Sequence, residues 1–272
     1  MTRWTVRRHR RPDAGTVLYC FPHAGGLPGE YVRWSDELPG TEVRGVHLPG
    51  RTTRRAEPPY TRMDALVDAL VSAVDFEDPD GTGAGGRPFV FFGHSLGALV
   101  AFEVARELRA RGRALPRRLI VSSCPAPPLP PVARPVHGLS DDELLDAIER
   151  GTGEPMAHLR EDADLREHAL ASFRADYALL ERYAPVAAEP LDRPITVLAG
   201  SEEPWSSWHD GWAAHTSAAT ELRVAAGGHF YFRGGQGRDD LLRALRDRVP
   251  TRSGPTPSVP TATTRGDRGW TA

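Results

Sequence analysis

Lysine and asparagine are absent from this sequence, so every basic side chain other than histidine is arginine. Without asparagine there is no acceptor for N-glycosylation. Only two cysteines occur, Cys20 and Cys124, and both fall inside apolar runs that read as buried strands. A disulfide framework is therefore not indicated, and each thiol is expected to pack as a small hydrophobe. No apolar run approaches the roughly eighteen residues that a membrane-spanning helix needs. The opening MTRWTVRRHRRPDAG lacks the apolar segment of a secretory signal, and its arginines read as a solvated basic tail over residues 1–14. The formal net charge is only −2, so no global basic field points to nucleic acid or to an anionic membrane. The default expectations are a cytoplasmic location, a monomer, and no nucleic-acid or membrane partner.

At 272 residues the chain is long enough to bury a full core in one large domain. Short apolar runs alternate with helical patterns. Strands are expected at Thr16–Phe21, Glu42–Leu48 (alternating), Pro88–Gly93, Leu119–Cys124, Ile195–Gly200 and Glu221–Ala225. Helices are expected at Arg62–Val74, Leu96–Gly112 and Asp239–Val249. Such alternation means a parallel sheet with helices on both faces. From His137 to Tyr183 the pattern is purely helical, and Ser140 with Glu143 three residues on forms a capping box. This stretch reads as an inserted lid over about 137–184, the plainer alternative being two ordinary crossover helices. The Thr/Pro/Ser/Gly/Arg-rich residues 251–272 read as a disordered tail, leaving 15–250 as the folded domain.

Gly93-His94-Ser95-Leu96-Gly97 is a Gly-x-Ser-x-Gly motif, and its setting gives it weight. A strand ends at Gly93 and a helix starts after Ser95, the sharp turn that carries a nucleophilic serine at the sheet edge. That setting belongs to the α/β-hydrolase fold: a mostly parallel central sheet flanked by helices, here with an inserted helical lid. Attack on a carbonyl makes an alkoxide that two N–H donors should meet. The backbone N–H of Leu96 supplies one; that of Ala24, in the FPHAGG loop after the first strand, supplies the other. Of ten histidines, His229 stands apart, because Gly227-Gly228-His229-Phe230 follows the last strand at the carboxyl end of the sheet. Chain order places the acid after the preceding strand, at Glu203, with Glu202 and Asp210 as rivals. Gly81–Gly86 matches a dinucleotide-binding pattern on paper, but a strand follows it instead of preceding it, so it reads as a loop. Neither a metal nor a cofactor is expected.

With these pieces assembled, the chain resembles the type II thioesterases, stand-alone editing enzymes of polyketide and nonribosomal peptide biosynthesis. The matching segments are Phe21–Gly26, HLPGR at His47–Arg51, EPPYT at Glu57–Thr61, Gly93–Arg109, LSDDELL from Leu139 and GGHF at Gly227–Phe230. The resemblance implies hydrolysis of acyl thioesters from the phosphopantetheine arm of an acyl or peptidyl carrier protein, through an acyl-serine at Ser95. The family pattern usually has Asp where Glu203 stands. A generic carboxylesterase or an acyltransferase on the same scaffold is the enzymatic alternative, and a catalytically silent binding module the non-enzymatic one. Phe173, Tyr177 and Leu180 of the lid would line an acyl pocket or pack in a core. Arg51, Arg54 and Arg55 would meet an acidic carrier or form a solvated basic loop.

Overall fold

The computed structural model describes residues 4–81, 86–129, 134–203 and 208–250. The expected tail at 251–272 and most of the Gly81–Gly86 loop lie outside these described residues. In chain order the elements are β1 (Thr5–Arg7), β2 (Thr16–Phe21), α1 (Pro28–Val32), β3 (Thr41–Val46), α2 (Met63–Ala73), β4 (Phe89–His94), α3 (Leu96–Ala110) and β5 (Leu119–Ser122). Then come α4 (Asp141–Thr152), α5 (Ala157–Glu161), α6 (Ala163–Glu181), β6 (Ile195–Gly200), α7 (Trp208–Ala213), β7 (Thr220–Ala225) and α8 (Gly235–Arg248).

The strands form one seven-stranded sheet in the order β1-β3-β2-β4-β5-β6-β7, parallel except for β1. Successive side chains along a strand point to opposite faces, and the two cores divide accordingly. Val17, Tyr19, Phe21, Phe89 and Phe91 pack with α2 and α3 on one face, whereas Leu18, Cys20, Val90 and Phe92 pack with Trp34, Leu241 and Leu245 on the other. Strand β2 is followed by β3 on one side, and the chain then crosses back to β4 on the other. The crevice outside the carboxyl ends of β2 and β4 lies at this change of direction, where open α/β sheets bind ligands.

Two expectations about the amino-terminal third are corrected. Residues 5–7 of the expected basic tail form edge strand β1, paired antiparallel with β3. Alternation in the second strand does not leave a face exposed: all six residues of β3 are buried. One interaction explains both. Glu42 is fully buried on β3, and its carboxylate accepts from Arg44 Nε at 2.6 Å, Arg11 N–H at 3.2 Å and Arg87 Nη1 at 3.3 Å. Arg7 adds an ion pair at 3.4 Å, and Asp80, whose carboxyl is held at about 2 by Arg44 and Arg7 against the opposing effect of burial, completes the cluster. The arginines are thus counter-ions for a buried acid, and their backbone covers the sheet edge.

Between β5 and β6 the helical segment holds three helices instead of the two expected, because α5 is a single short turn. Glu143 accepts from the Ser140 backbone N–H at 3.1 Å and from its hydroxyl at 2.8 Å, so the capping box starts α4 where the sequence places it. Leu144, Leu145, Ile148, Met156, Leu159 and Leu170 give these helices a small core of their own.

Replacing Glu42 by Ala strands Arg44, which is 2% exposed, beside a remaining partner in Asp80. Urea unfolding should show a loss of about 3 kcal/mol, the usual cost of breaking a buried pair from one side. A change below about 1 kcal/mol, within the ordinary range for surface substitutions, would mean that the amino-terminal segment is not anchored in this way.

Candidate active site

Ser95 is the residue between β4 and α3, with φ 53° and ψ −121°. That backbone is unfavourable for a residue with a side chain, costing on the order of 1–3 kcal/mol, and persists only where its surroundings impose it. Here Ser95 N–H donates to Ser122 O at 2.8 Å, continuing the β4–β5 ladder, while Ser95 O accepts from Ala98 N–H at 2.9 Å and opens the helix. The two motif glycines permit the turn: a methyl on Gly97 would collide with the Phe21 carbonyl, and one on Gly93 with the Gly97 carbonyl.

His229 sits past the end of β7, two strands from β5, and Glu203 past the end of β6. The loop carrying His229 folds over Gly200, where any side chain would strike the carbonyls of Gly227 and Gly228. This brings His229 Nδ1 to 2.8 Å from Glu203 Oε1. The other carboxylate oxygen accepts from Ser123 Oγ at 2.6 Å and from Gly200 N–H at 2.8 Å. Burial pushes the Glu203 carboxyl up, but the bonds from His229, Ser123 and Gly200 outweigh it and hold the group below the ordinary glutamate range. Of the three candidate acids, Glu203 is the one whose carboxylate meets His229. Glu202 faces the cavity beside it and is exposed. Asp210 lies on α7 and is exposed.

Ser95, Leu96, Glu203 and His229 line one cavity of about 720 Å³. Leu99, Leu129, Leu180 and Trp208 give it an apolar wall, and Tyr177 of α6 also lines it. A second, smaller cavity of about 250 Å³ also reaches Ser95 and His229 from the side of Ala24, Gly25 and Phe173. Tyr177 and Leu180 therefore face the reactive serine, and Phe173 faces the second approach. Tyr177 stays protonated, its hydroxyl pushed up to about 12 by burial and by Asp176 and Glu181. Cys124 also faces the larger cavity, but burial lifts its thiol well above the usual range, which disfavours the nucleophilic thiolate. The backbone N–H groups of Ala24 and Leu96 have no acceptor among the described residues.

Two features were not anticipated from sequence. Behind His229 lies His94, fully buried, its Nδ1 2.8 Å from Ser122 Oγ, which is 2.6 Å from the Tyr231 hydroxyl. Burial first, then the neighbouring His229, His23 and Arg233, hold the His94 ring far below the ordinary histidine value, so it remains neutral. Ser123, with a left-handed φ of 49°, is the second, and its hydroxyl reaches Glu203 only through the packing of β5 against β6. The expected basic surface is corrected. Arg51 is 3% exposed and paired with Asp176, and Arg54 is 6% exposed, bonded to His47 O at 2.6 Å and to Glu57 at 2.7 Å. Arg54 also lies 4.2 Å over the Trp4 ring, and only Arg55 of the three is exposed. Both guanidinium groups are paired inside the protein, Arg51 through its two terminal nitrogens and Arg54 through Nε and both terminal nitrogens, and are not offered to a partner.

Residues 16–249 match the family model described as a thioesterase domain. The chain belongs to the thioesterase family. This thioesterase is 39% identical over 231 residues to thioesterase PikA5 of Streptomyces venezuelae, covering 84% of this chain and 79% of that protein. Among solved structures it is similar to the type II thioesterase BorB from the borrelidin biosynthetic cluster, with a TM-score of 0.76 and 35% identity over 90% of this chain and 96% of that one. RedJ, the thioesterase of the prodiginine pathway in Streptomyces coelicolor, gives a TM-score of 0.75 at 35% identity, covering 88% and 95% of the two chains. The mostly parallel seven-stranded sheet flanked by helices is the α/β-hydrolase architecture of these thioesterases.

The depressed Glu203 carboxyl stabilises the thioesterase above the unfolded-state value of about 4.3, and that contribution fades as pH falls through the lower folded-state value. Ser123→Ala removes one donor and should cost about 1–2 kcal/mol near neutral pH. Urea unfolding of both proteins at about pH 7 and at lower pH measures this: the difference should shrink as the pH falls and the folded-state carboxyl takes up its proton. A pH-independent difference would assign the loss to packing instead.

Proposed function

We propose that this thioesterase hydrolyses acyl thioesters carried on the phosphopantetheine arm of acyl or peptidyl carrier proteins in a polyketide or nonribosomal peptide assembly line. The observation that carries the reading is the pairing of His229 Nδ1 with the half-buried Glu203 carboxylate on a cavity that Ser95 shares. Ser95 is the nucleophile, His229 the base, Glu203 the acid that fixes the imidazole tautomer, and the N–H groups of Ala24 and Leu96 the oxyanion donors.

In the first half-reaction His229 Nε2 takes the Ser95 hydroxyl proton as Oγ attacks the thioester carbonyl. The carbonyl oxygen becomes an alkoxide facing the two free N–H groups. The C–S bond then breaks, the proton on His229 goes to the departing sulfur, and an acyl-serine remains. Water enters, His229 removes its proton, and the same N–H groups meet the second alkoxide. Collapse breaks the C–O bond to Ser95, returns the proton to Oγ and frees the carboxylic acid. A neutral His94 serves this cycle, because a cation behind His229 would oppose formation of imidazolium. Helices α4–α6 act as the lid of the domain, and their apolar inner face shields the acyl-serine from bulk water. The enzyme acts as a monomer in the cytoplasm.

Intact mass spectrometry of a panel of acylated carrier proteins tests the reading. The wild-type enzyme should regenerate the free thiol, and Ser95→Ala should slow this by about 10⁴-fold or more. Undiminished turnover by Ser95→Ala, or preference for a p-nitrophenyl ester over the acyl thioester, would defeat it.

A further inference from the structure

Asp176 is a buried carboxylate on lid helix α6 with no part in the steps above. It is 2% exposed and accepts the Gly25 N–H at 2.7 Å as well as a bond from Arg51 Nη2. Arg51 in turn donates from Nη1 to Gly26 O at 3.0 Å. One turn before Asp176 on the same helix, the Ser172 hydroxyl donates to Gly50 O at 3.1 Å, so two side chains of α6 grip the loops that follow β2 and β3. Burial pushes the Asp176 carboxyl up and Arg51 and the Gly25 N–H pull it back, so the charged pair is costly to keep. Apolar residues would pack α6 against the body equally well. What they would not supply is an acceptor for Gly25 N–H and a donor for Gly26 O.

Those two groups set the direction of the Ala24 N–H. The peptide joining His23 to Ala24 is planar, with its C=O and N–H pointing opposite ways. Its carbonyl accepts from Gly26 N–H at 2.8 Å inside the turn, which leaves the Ala24 N–H pointing out of the turn, and Ala24 lines the cavity that Ser95 shares. The turn holds this shape while Gly25 N–H and Gly26 O are tied down. We infer that Asp176, acting with Arg51, is a positioning residue that aims the Ala24 N–H at the oxyanion, so that seating the lid helix and completing the oxyanion site are one event. The inference rests on the reading of Ser95 as nucleophile and Ala24 as a donor.

Two double variants and a transition-state mimic test it. Arg51→Met with Asp176→Leu keeps an apolar contact but removes both ties; Arg51→Gln with Asp176→Asn removes charge but keeps an acceptor for Gly25 and a donor for Gly26. The apolar pair should lower kcat by about 100-fold with KM changed by less than about threefold, the effect of losing one oxyanion donor. Its affinity for a trifluoromethyl ketone analogue, which forms a tetrahedral oxyanion on the serine, should fall by a similar factor. The amide pair should recover kcat to within about tenfold of wild type. An apolar pair with kcat within about threefold of wild type, or a loss of kcat without loss of analogue affinity, overturns the inference. Thermal unfolding establishes that both variants fold. Should the apolar pair not fold, hydrogen exchange on the wild-type enzyme decides: the Gly25 and Gly26 amides should exchange together with α6, and a loop that exchanges independently overturns the coupling. A wild-type enzyme that binds the ketone no better than the matching unreactive thioether overturns the reading of Ser95 itself, which separates the two failures.

Discussion

The site is organised by the strained backbone turn at Ser95. Its φ of 53° is possible only because β4 and α3 are each locked in place on either side, β4 between β2 and β5 and α3 against the aromatic layer of Phe89 and Phe91. Hydrogen bonds to Ser122 on one side and from Ala98 on the other leave the hydroxyl at the carboxyl edge of the sheet, beside the first unpaired N–H groups of a helix. Everything placed around it comes from loops at the same edge: Ala24 after β2, Ser123 after β5, Glu203 after β6 and His229 after β7. A parallel sheet delivers these loops to one end by its topology, and the site is a consequence of that direction as much as of any single residue.

Electrostatics then divides three neighbouring imidazoles into different roles. His23 and His94 are buried and held neutral, whereas His229 alone has a carboxylate on Nδ1. The carboxylate is itself held by Ser123 and the Gly200 N–H, so the imidazole is oriented by a group that cannot rotate away. The lid contributes at close range as well. Its helix α6 presents Tyr177 and Leu180 to the larger cavity and Asp176 to the loop of Ala24, which links the cover over the acyl group with the hydrogen-bond donors beneath it.

The strands from β2 onward and the positions of Ser95, Glu203 and His229 were legible in the sequence because each rests on a local signal. Apolar runs marked the strands, and a Gly-x-Ser-x-Gly pattern between strand and helix marked the turn. What escaped depends on distance in the chain. Arg51 looks like a surface cation until Asp176, 125 residues away, is seen to neutralise it. Glu42 and Arg44 alternate with apolar neighbours as they would on a half-exposed strand, and only the arginines of β1 and its following loop reveal both faces as buried. Ser123 carries no motif at all, since its partner Glu203 lies 80 residues on.

One oxygen, Ser95 Oγ, on a residue held in a left-handed turn, is proposed as the reactive group of this thioesterase. Peptide mapping by mass spectrometry after treatment with a fluorophosphonate measures this most directly. A single adduct is expected, on Ser95, that disappears in His229→Ala. An adduct on Ser123 or another side chain, or labelling of Ser95 that persists without the imidazole, would contradict it.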